Sequence, residues 1–240
     1  MSTIGDLVAW FGDSDNWQGH TGVPSRVAEH LRYSVSAVAG AVIVTVPIAA
    51  WLGHKRRFGT VAINIANIGQ TLPSFAILVL LVQLLAFREI PFVGPVALFL
   101  TLALLAIPPL FVNTYTGIAQ VDDALRDSAR GVGMSGWQQL LRVEMPVAAP
   151  VVLTGVRIAL VQVIATVTIG AYLGVGGLGR YIIDGYAVRD YTRVLAGAVL
   201  VAALAIMADR AVALIQRMVA VPHRRQPNRW RRRASVRPIA

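Results

Sequence analysis

Uncharged runs long enough to cross a lipid bilayer alternate along this chain with short clusters of arginine and acid. A helix rises about 1.5 Å per residue, so a hydrocarbon core of about 30 Å needs roughly 20 apolar residues. Tyr33 to Gly53 meets that length without a charge and stops at His54-Lys55-Arg56-Arg57. The next uncharged run, Phe58 to Phe87, is too long for one straight helix and carries Gln70-Thr71-Leu72-Pro73-Ser74 at its middle. Pro73 lacks a backbone donor and disfavours helix at Leu72. The pattern therefore predicts one broken or kinked span, with two short helices as the alternative. A third span is predicted over about Val93–Asn113, with Pro108-Pro109 near its far end. A fourth runs from Arg157 to about Gly177, and a fifth from Val194 to about Ile215, interrupted by Asp209-Arg210. Arg157 and Asp209 would then lie at the cytoplasmic ends of consecutive spans, where charges pair or snorkel in a structural role. Ile4–Phe11 spaces its apolar residues like a short amphipathic helix on the outer surface, with disorder as the open alternative.

Composition agrees with this reading. Only 14% of the 240 residues are charged, against 56% hydrophobic, and the mean hydropathy is +0.63. Soluble domains carry roughly a quarter charged residues. The expected fold is an all-α polytopic membrane protein with about five transmembrane helices, the second one broken. One transmembrane domain would occupy residues 31–217, between an extracytoplasmic segment 1–30 and a basic cytoplasmic tail 218–240. No secretory signal is expected, because Asp6, Asp13, Asp15 and Glu29 come early and no basic region precedes an apolar core. The absence of cysteine excludes disulfides and thiolate metal sites.

The net charge of +10 changes the picture through its distribution. Lys55, Arg56 and Arg57, then Arg126, Arg130 and Arg142, and a tail with Arg217, Arg224, Arg225, Arg229, Arg231, Arg232, Arg233 and Arg237 fall on one side of a five-span topology. The other side holds only Arg26, Arg32, Arg88, Arg180, Arg189 and Arg193. Basic loops stay cytoplasmic, so the expected orientation is N-out and C-in. A tail of this kind is attracted to anionic lipid rather than nucleic acid.

Between the third and fourth spans lies a cytoplasmic segment far longer than a connector needs, Val121–Met145. Asp122 or Asp123 is placed to cap a helix through Ala129, which Gly131 and Gly133 end. Ser135 offers a cap for a second short helix, Trp137–Val143, closed by Pro146. Small residues on the first helix and at the bend expose backbone to a partner protein. A hairpin packed on its own membrane domain is the competing outcome, and the pattern alone leaves both open.

Asp127-Ser128-Ala129, then Gly133, then Val143-Glu144-Met145-Pro146 resemble the EAA loop of ABC-transporter permeases, with Asp-Ser in place of Glu-Ala and Met in place of Leu. Gln70–Ser74, Asn113–Ile118, Gly131–Ser135 with Trp137, and Leu173–Gly179 resemble permeases that import glycine betaine, choline, carnitine or proline. Phe111-Val112 stands where that family often has an arginine. The resemblance implies a type I ABC importer transmembrane domain in the cell membrane, related also to methionine-importer permeases. It implies a second permease subunit (a copy or a paralogue), a cytosolic ATPase dimer that binds ATP-Mg, and an extracytoplasmic binding protein, with no cofactor in this chain. The loop over 121–146 would couple to the ATPase through Asp127, Ser128, Ala129, Gly133, Met134 and Pro146.

Broken helices and polar residues within spans mark translocation paths. Candidates here are Asn67, Gln70, Thr71 and Pro73, together with Gln162, Thr166 and Thr168, whose threonines alternatively bond back to their own helix. Gly174, Gly176, Gly177 and Gly179 do not fit a phosphate loop, since no strand precedes them and no Gly-Lys-Ser/Thr follows. They read as a flexible or re-entrant turn after the fourth span, part of an outer gate, with a plain connector as the alternative. His20, His30, His54 and His223 are scattered, no nucleophile–base set is present, and the chain is expected not to be an enzyme. The alternatives are a permease for methionine or another small solute, and an ATP-independent secondary transporter. The latter would ordinarily place ion-coupling acids in its span cores.

Overall fold

Gly22 and Pro24 start the longest helix among the described residues, proline being suited to a position whose N–H has no partner. The structure is a computed structural model that describes residues 3–57 and 59–219. In chain order its helices are α1 (Thr3–Gly12), α2 (Val23–Lys55), α3 (Gly59–Gln70), α4 (Ser74–Phe87), α5 (Val93–Ala119), α6 (Asp123–Gly131), α7 (Gly136–Gln139), α8 (Met145–Val167), α9 (Gly179–Ala187) and α10 (Tyr191–Val219). No strand occurs among the described residues. Among the described residues, four stretches are long and apolar enough to cross a membrane: α2, α5, the helical path Gly136–Leu173 that contains α8, and α10. The second uncharged run is divided at Thr71–Pro73 into α3 and α4, with Pro73 in extended conformation at the start of α4. Ile4–Phe11 is helical, inside α1. Residues from 220 onward, with most of the basic tail, lie outside the described residues.

Helix α5 stands at the centre. Its Leu98, Leu102 and Leu110 pack against Ala37 and Ala41 of α2, Leu78 of α4, and Ala159 and Val163 of α8. Small residues make these contacts close: a Cβ on Gly53 would come within 2.8 Å of the Tyr115 carbonyl, and one on Gly155 within 2.8 Å of the Pro109 carbonyl. Lipid is as apolar as leucine, so helices associate in it through such packing and not through the hydrophobic effect.

Helix α2 contains the first expected span, Tyr33–Gly53, and extends it back to Val23, with Arg26 and Glu29 paired at 2.9 Å in the added turns. Two expectations need correction. The fourth span does not start at Arg157; α8 begins at Met145, and the helical path goes on through a 3₁₀ segment, Thr168–Leu173. Arg157 lies midway along that helix and Asp209 lies inside α10, where the guanidinium grips the carboxylate with two hydrogen bonds, one of 2.7 Å from Nη2 to Oδ2. Each charge looked like a helix end, and their pairing lets both helices run through. Finally, Pro146 closes nothing. Helix α7 continues through a π turn, Leu140–Glu144, directly into α8. A proline cannot donate to the carbonyl four residues back and its ring crowds that carbonyl, so the preceding turn widens and the helix continues.

Candidate functional site

The segment after α5 folds from its caps. Asp122 accepts the Ala124 amide at 2.9 Å, starting α6. Gly133, at φ +81°, carries the bend. Ser135 and Gln138 then form a reciprocal capping box that starts α7. Asp127, Ser128 and Gly133 are exposed, Met134 half-buried, and Pro146 exposed, whereas Ala129 is buried against the bundle. Large apolar side chains of the segment are exposed as well: Val132 is 75% and Trp137 58% exposed, with Leu125 and Leu141 also exposed. One face packs on the membrane domain and the other is left uncovered.

The packed face rests on a charge cluster that sequence reasoning missed. Glu144, 0% exposed, accepts His54 Nδ1 of α2 at 2.9 Å and Gln139 Nε2 of α7 at 2.8 Å. Arg126 of α6 lies 3.5 Å from the same carboxylate. Arg126 also donates to the carbonyls of Ile118, at 2.7 Å, and His54, at 3.2 Å. Burial pushes the Arg126 guanidinium below its ordinary value, and the Glu144 charge opposes that shift. Beside the cluster, Arg56 bridges to Asp123 at 2.7 Å and to the Val121 carbonyl at 3.1 Å. A buried carboxylate needs partners for all its lone pairs. Here they come from α2, α6 and α7, which ties the two short helices to the end of α2 that carries His54. A lone acid in the apolar surroundings of Val143 and Met145 was the available signal.

At the other end of the bundle the glycine-rich turn is fastened rather than free. Glu29 accepts the Gly177 amide at 2.8 Å, and His30 Nδ1 accepts the Leu178 amide at 3.2 Å. His30 Nε2 meets the Ile164 carbonyl at 2.8 Å, so the ring is held as the neutral Nε2–H tautomer. Gly174 and Gly177 have φ of +70° and +98°, and a Cβ on Gly176 would overlap the Glu29 carboxylate. Gly179 opens α9 directly against Thr168, whose Cα a Cβ would approach to 2.7 Å. Gly179→Ala is therefore expected to cost about 1–3 kcal/mol through forced backbone displacement. A melting curve of the purified chain checks this, and one that overlays wild type would refute the close approach.

The remaining polar candidates divide between two places. Asn67, Gln70 and Thr71 are exposed at the α3–α4 break, with the Thr71 hydroxyl bonded back to the Ile68 carbonyl. Thr166 and Thr168 bond back to the carbonyls of Gln162 and Ala165. Gln162 alone of that trio lines a cleft, shared with Arg157 and Asp209 between α8 and α10. Phe75, just after Pro73, meets Tyr172 edge to face at 5.6 Å, linking the break to the segment before the glycine turn.

Residues 42–221 match the family of binding-protein-dependent transport system inner membrane components. The chain belongs to this family. It is a membrane-spanning permease subunit and not an enzyme; membership implies a partner ATPase that uses the ATP and a binding protein that brings the solute. The glycine betaine/carnitine/choline transport system permease protein OpuCB of Bacillus subtilis is 38% identical over 194 residues, covering 81% of this chain and 87% of its own. The carnitine transport permease protein OpuCD of Listeria monocytogenes is 34% identical over 229 residues, covering 95% and 98%. The permease has the fold of type I ABC importer transmembrane domains: the MetNI methionine ABC transporter in an inward-facing conformation superposes with a TM-score of 0.69 at 22% identity, over 82% of this chain and 95% of that one.

Proposed function

We propose that this permease carries a quaternary-amine osmoprotectant (glycine betaine, choline, carnitine or proline) inward, and that the 121–146 segment couples it to the ATPase. The carrying observation is the exposed face of α6 and α7, with Asp127, Ser128, Gly133, Trp137 and Val132, mounted on a buried ionic anchor. That build suits a lever: a partner engages the open face, and the Glu144 cluster passes the displacement to α2 and α8. Orientation is N-out and C-in, with the broken stretch α3–α4 as the fifth crossing beside the four long ones, in keeping with the arginine distribution. The pathway forms between two permease subunits, and ATP-driven closure of the ATPase dimer biases a two-state helix bundle. The glycine turn held by Glu29 and His30 belongs to the outer gate, and the Pro73 break lines the path. The transport of glycine betaine, carnitine and choline by relatives such as OpuCB supports the substrate class.

The test is ATP-dependent uptake of labelled glycine betaine, choline and methionine into vesicles containing the assembled complex. Uptake of betaine or choline, absent without ATP, is expected. Uptake of methionine alone would overturn the substrate class and leave the importer standing. Uptake without ATP would favour a secondary transporter.

A further inference from the structure

Two opposite charges face a cleft in the membrane-spanning part of the molecule. Arg157 and Asp209 sit inside α8 and α10, away from the helix ends, and their side chains remain 37% and 25% exposed. Ionisable groups at such positions face protein or a water-filled cavity and mark solute routes. Here they border an open cleft of about 420 Å³ lined by Thr154, Ile158, Val161 and Gln162. Thr154 is committed to Pro150 and Gln216, while the Gln162 side-chain amide has no hydrogen-bond partner among the described residues.

We infer that the Arg157–Asp209 pair is a transient binding site for a small zwitterion bearing a carboxylate and an alkylated ammonium. This rests on the osmoprotectant reading above. Guanidinium forks recognise carboxylates in two-point contact, so a ligand carboxylate competes for Arg157 with Asp209. Asp209, released, faces the ligand's cation, while Ile158 and Val161 meet its methyl groups and Gln162 offers an amide to its carboxylate. One internal ion pair becomes two external ones with no net charge change. Little free energy separates the two arrangements, so the solute is passed on and not trapped.

Arg157→Gln separates this from a purely structural staple, because choline has a quaternary ammonium but no carboxylate. In vesicles with the complete transporter, the variant is expected to lower betaine uptake about tenfold relative to choline uptake, each normalised to wild type, as a charged two-point contact is lost. Equal losses for both solutes, or no loss, would overturn the site. If Arg157→Gln does not assemble, Arg157→Lys, which keeps the charge and loses the fork, takes its place with the same outcomes. The exchange Arg157→Asp with Asp209→Arg restores a staple with reversed polarity. It is expected to recover assembly but not betaine uptake, and full recovery of betaine uptake would also overturn the site. Wild-type vesicles that carry choline but not betaine would overturn the site and spare the importer reading. Vesicles that carry neither would remove both.

Discussion

Gly133→Glu is expected to abolish ATP-driven uptake while the permease still inserts and folds. Gly133 sits at φ +81° with open space where a Cβ would go. A side chain there clashes with nothing in the chain itself, and the left-handed backbone costs a non-glycine residue about 1–2 kcal/mol. That is too little to unfold a bundle of four long helices. A glutamate instead projects a charge and its length from the bend into the space beside Trp137 and Val132, where the ATPase is proposed to dock. Gly133→Asn is the control, since asparagine visits left-handed conformations readily, and it is expected to keep most of the activity. Uptake and co-purification of the ATPase read the result. Normal transport by the glutamate variant would remove the docking role from this bend.

Glu144→Ala is expected to be the most damaging single change in the 121–146 segment. It strands the Arg126 guanidinium and the donors of His54 and Gln139 in a buried site. Removing one member of a buried ion pair costs about 3–5 kcal/mol, because the other charge is left unpaired. Glu144→Gln keeps the volume and one acceptor oxygen and is expected to lie between. Both variants loosen α6 from α2, so ATP hydrolysis by the assembled complex is expected to lose its stimulation by solute even where assembly survives. A wild-type melting curve together with intact solute stimulation in Glu144→Ala would show that the cluster is not the connection.

Much of the architecture was legible in the residues because it is governed by neighbours. Uncharged length marks four of the five expected spans as long helices, Pro73 marks the break between α3 and α4 in the remaining one, and Asp122 and Ser135 start helices by accepting amides two and three residues on. The motif register from Asp127 to Pro146 and the glycine run from Gly174 to Gly179 led to the family that residues 42–221 match.

What the sequence left undecided turns on partners far away along the chain. Arg157 and Asp209, 52 residues apart, were expected to pair, but at span ends and not inside two continuous helices, where the fold places them. His54 and Glu144 are 90 residues apart, and Glu29 and Gly177 are 148. A charge near lipid or in a core is costly or harmless according to what faces it, and that is set only once the helices pack. The sequence by itself thus determined the membrane class, the helix break and the caps that shape the segment proposed to dock the ATPase. Only the tertiary structure showed that this segment stands on a buried carboxylate, with one face fastened to the bundle and the other left open.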